Sequence, residues 1–167
     1  MKSIFLLLGG ISESGWDAYF PGINTGMFAL GERIKALPGV VLKTYTWGNY
    51  PQAAIDAHTA QRLGSKIGFV GYSGGGSRAT MLARENVTLK IELIVAYDPS
   101  PSWQMYPLGP NVIKALCYHN TAPMMLGLGG GVMVGKQVTT VNIAQQHLAV
   151  QYNQALHSRT IAAIQAL

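Results

Sequence analysis

Gly71-Tyr72-Ser73-Gly74-Gly75 fits the pattern G-x-S-x-G inside the longer stretch KIGFVGYSGGGSR, residues 66–78. A run of strand-forming residues drives into a serine fenced by glycines, and a helix-compatible stretch follows. A side chain held out at the tip of a sharp strand-to-helix turn forces strained angles on its own backbone. Residues two before and two after it then crowd together, and Gly71 and Gly75 relieve that crowding. The N–H groups opening the helix point at the place where an oxyanion would form. On this reading Ser73 is a nucleophile. The competing readings are a phosphate cradle and a plain glycine-rich turn holding a solvated serine.

The phosphate readings fail on particular residues. Gly10 to Gly15 gives G-x-x-x-x-G, but Trp16 and Asp17 follow where a Walker A loop needs Lys and then Ser or Thr. GLGGGVMVG, residues 127–135, places Val132 where a dinucleotide fingerprint requires its third glycine. An anion at the N-terminus of the helix after Ser73, with Arg78 nearby, is the remaining form of that reading.

A serine hydroxyl needs a base, and the base needs an orienting acid. The acidic residues are Glu13, Asp17, Glu32, Asp56, Glu85, Glu92 and Asp98, with none beyond position 98. Glu32 and Asp56 fall on helix bodies, Glu85 at a helix end, and Glu92 near the start of a strand. Glu13 and Asp17 follow the first strand. Asp98 closes LIVAYDPS at the C-terminal end of the strand after the serine's, where sites in open α/β sheets lie. Its plainer reading is a turn-forming Asp before Pro99. The base is one of His58, His119, His147 and His157. His58 belongs to an early helix. His147, in the loop VNIAQQHLAV, ranks first because that loop returns over the sheet edge. His119, at a strand tip, and His157, inside the last helix, are the alternatives.

The elements that must position these groups alternate along the chain. Strands are expected at about 3–8, 40–46, 66–71, 89–98 and 111–119. Helices are expected at about 26–37, 51–63, 75–85 and 148–166, with Pro51 at a helix start where proline is tolerated. Residues 122–140 hold Pro123 and five glycines, and read as loop with room for a short hairpin. Strand–helix alternation with continuous apolar strands predicts a parallel sheet covered on both faces. The expected fold is a single domain over 1–167: an α/β/α sandwich on a five-stranded sheet ordered 2-1-3-4-5.

Composition excludes several classes. The net charge is +5, but the basic residues are scattered, with no basic run to bind nucleic acid. Cys117 is the single cysteine, so there is no internal disulfide and no metal spacing. MKSIFLLLGG imitates a signal peptide, but its apolar run is short and no small-x-small site follows. It reads as a first buried strand, with a cytoplasmic location. No stretch approaches the roughly 20 apolar residues of a membrane span. Beyond Asp98 the charged residues are Lys114, Lys136 and Arg159 alone, a neutral half suited to an apolar substrate, to contact with a second copy, or to burial.

LLLGG, GYSGG, a strand ending in Asp-Pro and the late loop NIAQQHL together make the chain similar to a minimal, lipase/esterase-like member of the α/β-hydrolase superfamily. The chain order Ser, Asp, His is that of this superfamily. Most members carry their acid one strand later, where this chain reads CYHN without a carboxylate; it would join the minority that carry it on the earlier strand. The resemblance implies an oxyanion hole from the N–H groups of Gly74 and of Gly10 or Ile11. It implies a serine hydrolase of ester or thioester bonds acting through Ser73, Asp98 and His147, with no cofactor and no metal. The alternatives are an inactive hydrolase fold that binds a partner, and an acyltransferase. With no room for a cap domain, the pocket is expected from loops, with Tyr72, Trp103, Met105, Met124 and Met125 as lining candidates for a small-molecule or lipid-like ester. The Gly127–Gly131 run reads as a mobile flap.

Overall fold

Each of the five expected strands forms in the computed structural model of the chain, which describes residues 1–10, 22–100, 107–122 and 129–167. The strands are β1 (Lys2–Leu8), β2 (Val40–Thr46), β3 (Lys66–Tyr72), β4 (Ile91–Tyr97) and β5 (Ala115–Asn120). A sixth, β6 (Val138–Ile143), extends the sheet to the order β2-β1-β3-β4-β5-β6, all pairs parallel. The expected five-stranded sheet is therefore corrected to six strands, with the order of the first five as expected. β6 reads VTTVNI, and Thr139 and Thr140 are exposed. It is an edge strand with one neighbour, so it lacks the continuous apolar run that marks the central strands.

The helices are α1 (Thr25–Lys35), α2 (Tyr50–Arg62), α3 (Gly74–Glu85), α4 (His147–Val150) and α5 (Gln154–Gln165). Side chains alternate across a strand, and β1 feeds two cores. Phe5 and Leu7 join Phe69, Ile94 and the α2 and α3 residues Ala53, Ala57, Ala79 and Leu82 on one face. Ile4, Leu6 and Leu8 join Val70, Val95 and the α1 and α5 residues Met27, Leu30, Ile34, Leu156 and Ile164 on the other. The result is three layers with helices on both faces.

The single last helix expected over 148–166 is two. Asn153 breaks it, because its side-chain oxygen accepts the N–H groups of Ala155 (3.0 Å) and Leu156 (3.2 Å) and starts α5 as an N-cap. The short α4 is left as a separate turn, and His147 is its first residue.

Parallel pairing aligns the C-terminal strand ends. Leu8 pairs with Thr46, Leu7 with Gly71, and Tyr72 with Tyr97. Gly10, Trp47, Ser73 and Asp98 all follow within two residues of those pairs, so the sheet delivers them to one rim. No helix among the described residues is long and apolar enough to cross a membrane.

Candidate active site

Ser73 stands between the last residue of β3 and the first of α3, with φ 53° and ψ −123°. A non-glycine residue in such a region costs of order 1–3 kcal/mol and persists where its surroundings over-determine it. Here its N–H donates to the Tyr97 carbonyl (3.0 Å). Its own carbonyl accepts from the N–H groups of Gly76 (3.0 Å), Ser77 (3.3 Å) and Ser100 (3.2 Å). The flanking glycines are a steric demand: a Cβ at Gly71 would collide with the Gly75 carbonyl, and one at Gly75 with the Leu7 carbonyl. Serine is a favoured N-cap, yet the Ser73 hydroxyl makes no cap bond. It lies 3.0 Å from His147 Nε2 instead.

His147 Nδ1 lies 2.6 Å from Asp98 Oδ2. A carboxylate accepts and does not donate, so Nδ1 carries the hydrogen and Nε2 is left to accept from the serine hydroxyl. Asp98 is fully buried. Its Oδ1 accepts the Gly130 N–H (2.7 Å), and its Oδ2 also accepts from the Asn120 side-chain amide (3.3 Å). Asp98 itself sits at φ 41°, with its N–H on the Tyr118 carbonyl (2.8 Å). Three hydroxyl, imidazole and carboxylate groups from distant parts of the chain thus form one buried hydrogen-bonded relay.

Beneath the imidazole lies Tyr72. Its ring stacks on His147 with centroids 5.0 Å apart, and its hydroxyl donates to the His147 carbonyl at 3.2 Å. Burial, reinforced by the nearby Asp98 and Tyr152, raises the Tyr72 phenol above its ordinary pKa, so it stays a donor. Cys117 offers no rival nucleophile. Burial pushes its thiol up to about 11, so it is neutral at ordinary pH.

No protein-family model matches the sequence, and no curated protein matches it. Solved structures do match, along the whole chain. One is a Xanthomonas campestris pv. campestris protein assigned to the alpha/beta hydrolase superfamily, with TM-score 0.64, 14% identity and 100% of both chains covered. A second, from Xanthomonas campestris, is an α/β serine hydrolase without a lid, with TM-score 0.64, 12% identity, and 98% of this chain and 81% of that one covered. A third is the esterase of the archaeon Pyrobaculum calidifontis, with TM-score 0.65, 13% identity, and coverage of 99% and 76%. The chain has the α/β-hydrolase fold.

Within this α/β-hydrolase fold, the residues named from the sequence take the following places. Gly74 opens α3 directly after Ser73, and the Gly10 carbonyl lies beside it, 3.5 Å from where a Gly74 Cβ would stand. Ile11, Trp103, Met105, Met124 and Met125 lie outside the described residues, as do Glu13 and Asp17. Tyr72, expected to line a pocket, is 1% exposed and supports His147 from below instead. The correction follows from strand alternation: the residue before the turn points into the sheet's far face. His119 stays outside the relay, with Nδ1 buried and without a partner among the described residues. His157 is buried on α5 and reaches the Gln151 carbonyl (2.6 Å). His58 pairs with the Asn86 side chain (3.1 Å). The expected flap is also corrected where it is described. Gly129–Gly131 packs under Asp98, with the Gly131 N–H on the Pro99 carbonyl (2.9 Å).

Sequence reasoning missed Asn120 and Gly130. Asn120 ends β5 in the CYHN tetrapeptide, noted only for lacking a carboxylate. Gly130 donates through its backbone, and nothing in a side-chain inventory signals such a donor. Among the described residues no group of three or more His, Cys, Asp or Glu could hold a metal.

Proposed function

We propose that the protein is a serine hydrolase cleaving carboxylic ester or thioester bonds through an acyl-enzyme. The observation that carries this reading is the continuous relay from Ser73 Oγ through His147 to Asp98, ending on a serine whose backbone is held in a strained turn. A solvated turn serine has no use for either feature.

In this mechanism Ser73 Oγ attacks the substrate carbonyl carbon while its proton passes to His147 Nε2. Asp98 keeps the imidazole in the required tautomer and stabilises the imidazolium. The carbonyl oxygen becomes an oxyanion facing the Gly74 N–H, with Gly10 or Ile11 supplying the second donor. One such donor lowers the barrier by about 3 kcal/mol. Collapse of the tetrahedral intermediate expels the alcohol or thiol, which takes the proton from His147. Water, activated by the same imidazole, then attacks the acyl-serine and releases the acid. The esterase and serine hydrolase sharing this fold make ester chemistry the natural first assay.

A fluorophosphonate probe tests the reading. Covalent labelling that disappears in Ser73→Ala, together with turnover of 4-nitrophenyl esters, is the expected result. A folded wild-type protein that neither labels nor turns over esters would reject it in favour of a binding role.

A further inference from the structure

We propose that an anion subsite built on Arg78 flanks the serine, so that favoured substrates carry a carboxylate at the far end of the acyl chain. The proposal rests on the hydrolase reading of Ser73 and names its substrate class.

Arg78 lies four residues beyond Gly74 on α3, which puts both on one helix face. Long side chains on a helix lean toward its N-terminus, so the Arg78 side chain leans back toward the turn that holds Ser73. Trp47, immediately after β2, occupies the space beside that turn. A Cβ on Gly74 would stand 3.3 Å from the indole Cδ2 and 3.4 Å from Cγ. The Arg78 guanidinium lies over the same indole, 4.9 Å from its centroid, and 5.1 Å from the Tyr50 ring. Gly74, Trp47 and Arg78 therefore form one contiguous wall starting at the residue next to the serine.

Among the described residues no carboxylate forms an ion pair with the positive charge in this wall. The ion pairs among the described residues are Lys43–Asp56, Lys90–Glu92 and His147–Asp98. The carboxylate of Glu85, which also acts on Tyr50, accepts from the Tyr50 hydroxyl (3.5 Å). Among the described residues the one hydrogen bond of Arg78 goes from Nη1 to the Met81 thioether (2.9 Å), a weak acceptor. Arg78 Nε and Trp47 Nε1 are both buried donors without an acceptor among the described residues, and Trp47 is 5% exposed. Buried polar groups are normally paired. Two such donors on adjoining side chains, one of them a guanidinium, suit a planar anionic oxygen group. The flanking rings hold the guanidinium in place before any ligand arrives.

The sheet order decides which end of the substrate meets this wall. Strands run β2-β1-β3-β4-β5; Asp98 follows β4 and the His147 imidazole binds it, while Trp47 follows β2. Arg78 and its wall thus lie across Ser73 from His147. The leaving group must be near His147 to receive its proton, so the acyl chain faces Arg78.

The test compares mono-4-nitrophenyl adipate with 4-nitrophenyl hexanoate, whose acyl chains match except for the terminal carboxylate. The adipate-to-hexanoate ratio of kcat/KM is expected to fall about tenfold in Arg78→Gln, the scale of one charge-assisted hydrogen bond. Arg78→Met, which keeps an unbranched side chain between the rings, repeats the comparison with α3 packing preserved. Arg78→Lys is expected to recover part of the preference. The same ratio in wild type, Arg78→Gln and Arg78→Met overturns the subsite. Calorimetric titration with adipic acid monoamide, against hexanamide as control, reads the subsite without turnover. It is expected to bind wild type about tenfold more tightly than Arg78→Gln, and equal binding overturns the proposal. Fluorophosphonate labelling keeps the two claims apart. Labelled Ser73 with an unchanged ratio removes the subsite and leaves the hydrolase. Unlabelled protein that still binds the monoamide through Arg78 removes the hydrolase and leaves the anion site.

Discussion

Tyr72 holds His147 twice, through a stacked ring at 5.0 Å and a hydroxyl bond to the His147 carbonyl at 3.2 Å. The stack fixes the tilt of the imidazole, and the hydroxyl fixes the turn that carries it. Tyr72→Phe keeps the first and loses the second. It is expected to destabilise the fold by about 1 kcal/mol, the net worth of one hydrogen bond. Tyr72→Leu loses both, and its kcat is expected to fall much further than its KM rises, because the substrate does not touch this buried ring. Urea denaturation and ester kinetics on both variants check the pair. Equal kcat in Tyr72→Phe and Tyr72→Leu would remove the positioning role of the ring.

The strain at Ser73 predicts an inverted stability order. Ser73→Ala and Ser73→Gly both lose the hydroxyl, so both are expected to lose ester turnover. Glycine adopts φ 53° without a Cβ penalty, whereas alanine keeps it. Ser73→Gly is therefore expected to be more stable than Ser73→Ala by about 1 kcal/mol, after allowing for the greater freedom of glycine in the unfolded chain. That difference corresponds to about 2–4 °C in Tm for a chain of this size. Calorimetry on the two variants decides it.

Gly129 sits at φ +78°, and a Cβ there would collide with the Asp98 carboxylate and come within 2.5 Å of His147 Nδ1. Gly129→Ala is expected to part those two side chains and to reduce kcat by at least about a hundredfold, in line with loss of imidazole orientation. Gly39 provides the control. It also has positive φ, at +71°, but nothing lies within 4 Å of its Cβ position. Gly39→Ala is expected to cost stability through backbone strain alone and to keep its turnover. Similar kinetic losses in both variants would contradict this reading.

The parts of the site that were legible are those that impose requirements on side chains. Gly71 and Gly75 must lack a Cβ, and that shows in their spacing around Ser73. Asp98 could be found because carboxylates are scarce and only one closes a central strand. His147 could be ranked above His119 from the returning loop, but only the α4 turn brings its ring within hydrogen-bond distance of Ser73 and Asp98. Asn120 and Gly130 could not be found in this way. Their contacts with Asp98 exist only once β5 and the glycine run are folded together. β6 was hidden for a related reason, since an edge strand with two exposed threonines follows a glycine-rich stretch and carries no buried run. The packing of Tyr72 against His147 is not legible either, because the motif fixes which residue is exposed at the turn and says nothing of what its neighbour packs against.

His157 predicts how stability depends on pH. Its ring is fully buried on α5, with Nε2 donating to the Gln151 carbonyl (2.6 Å) and Nδ1 without a partner among the described residues. Burial is the largest cause holding its pKa below the usual value of 6.5; the Gln151 bond acts the other way, and the charge of Arg33 lowers it further. The folded state therefore resists protonation, and the unfolded chain binds the proton more readily. Stability rises with pH wherever the unfolded state binds more protons. The contribution is complete above the unfolded pKa, about 6.5, and is lost as pH falls from there toward the folded value. Urea denaturation between pH 7.5 and pH 5, a window chosen around that value, is expected to show falling stability in wild type and a flatter profile in His157→Gln, which cannot titrate. Because Gln151 also accepts the Gly26 N–H through its side chain (3.1 Å) and closes the α4 turn, acidification should loosen α4 before the sheet. Hydrogen exchange at Ala149 and Val150, both bonded to the Gln146 carbonyl, reads that loosening. Parallel pH profiles in wild type and His157→Gln would remove this histidine as the source.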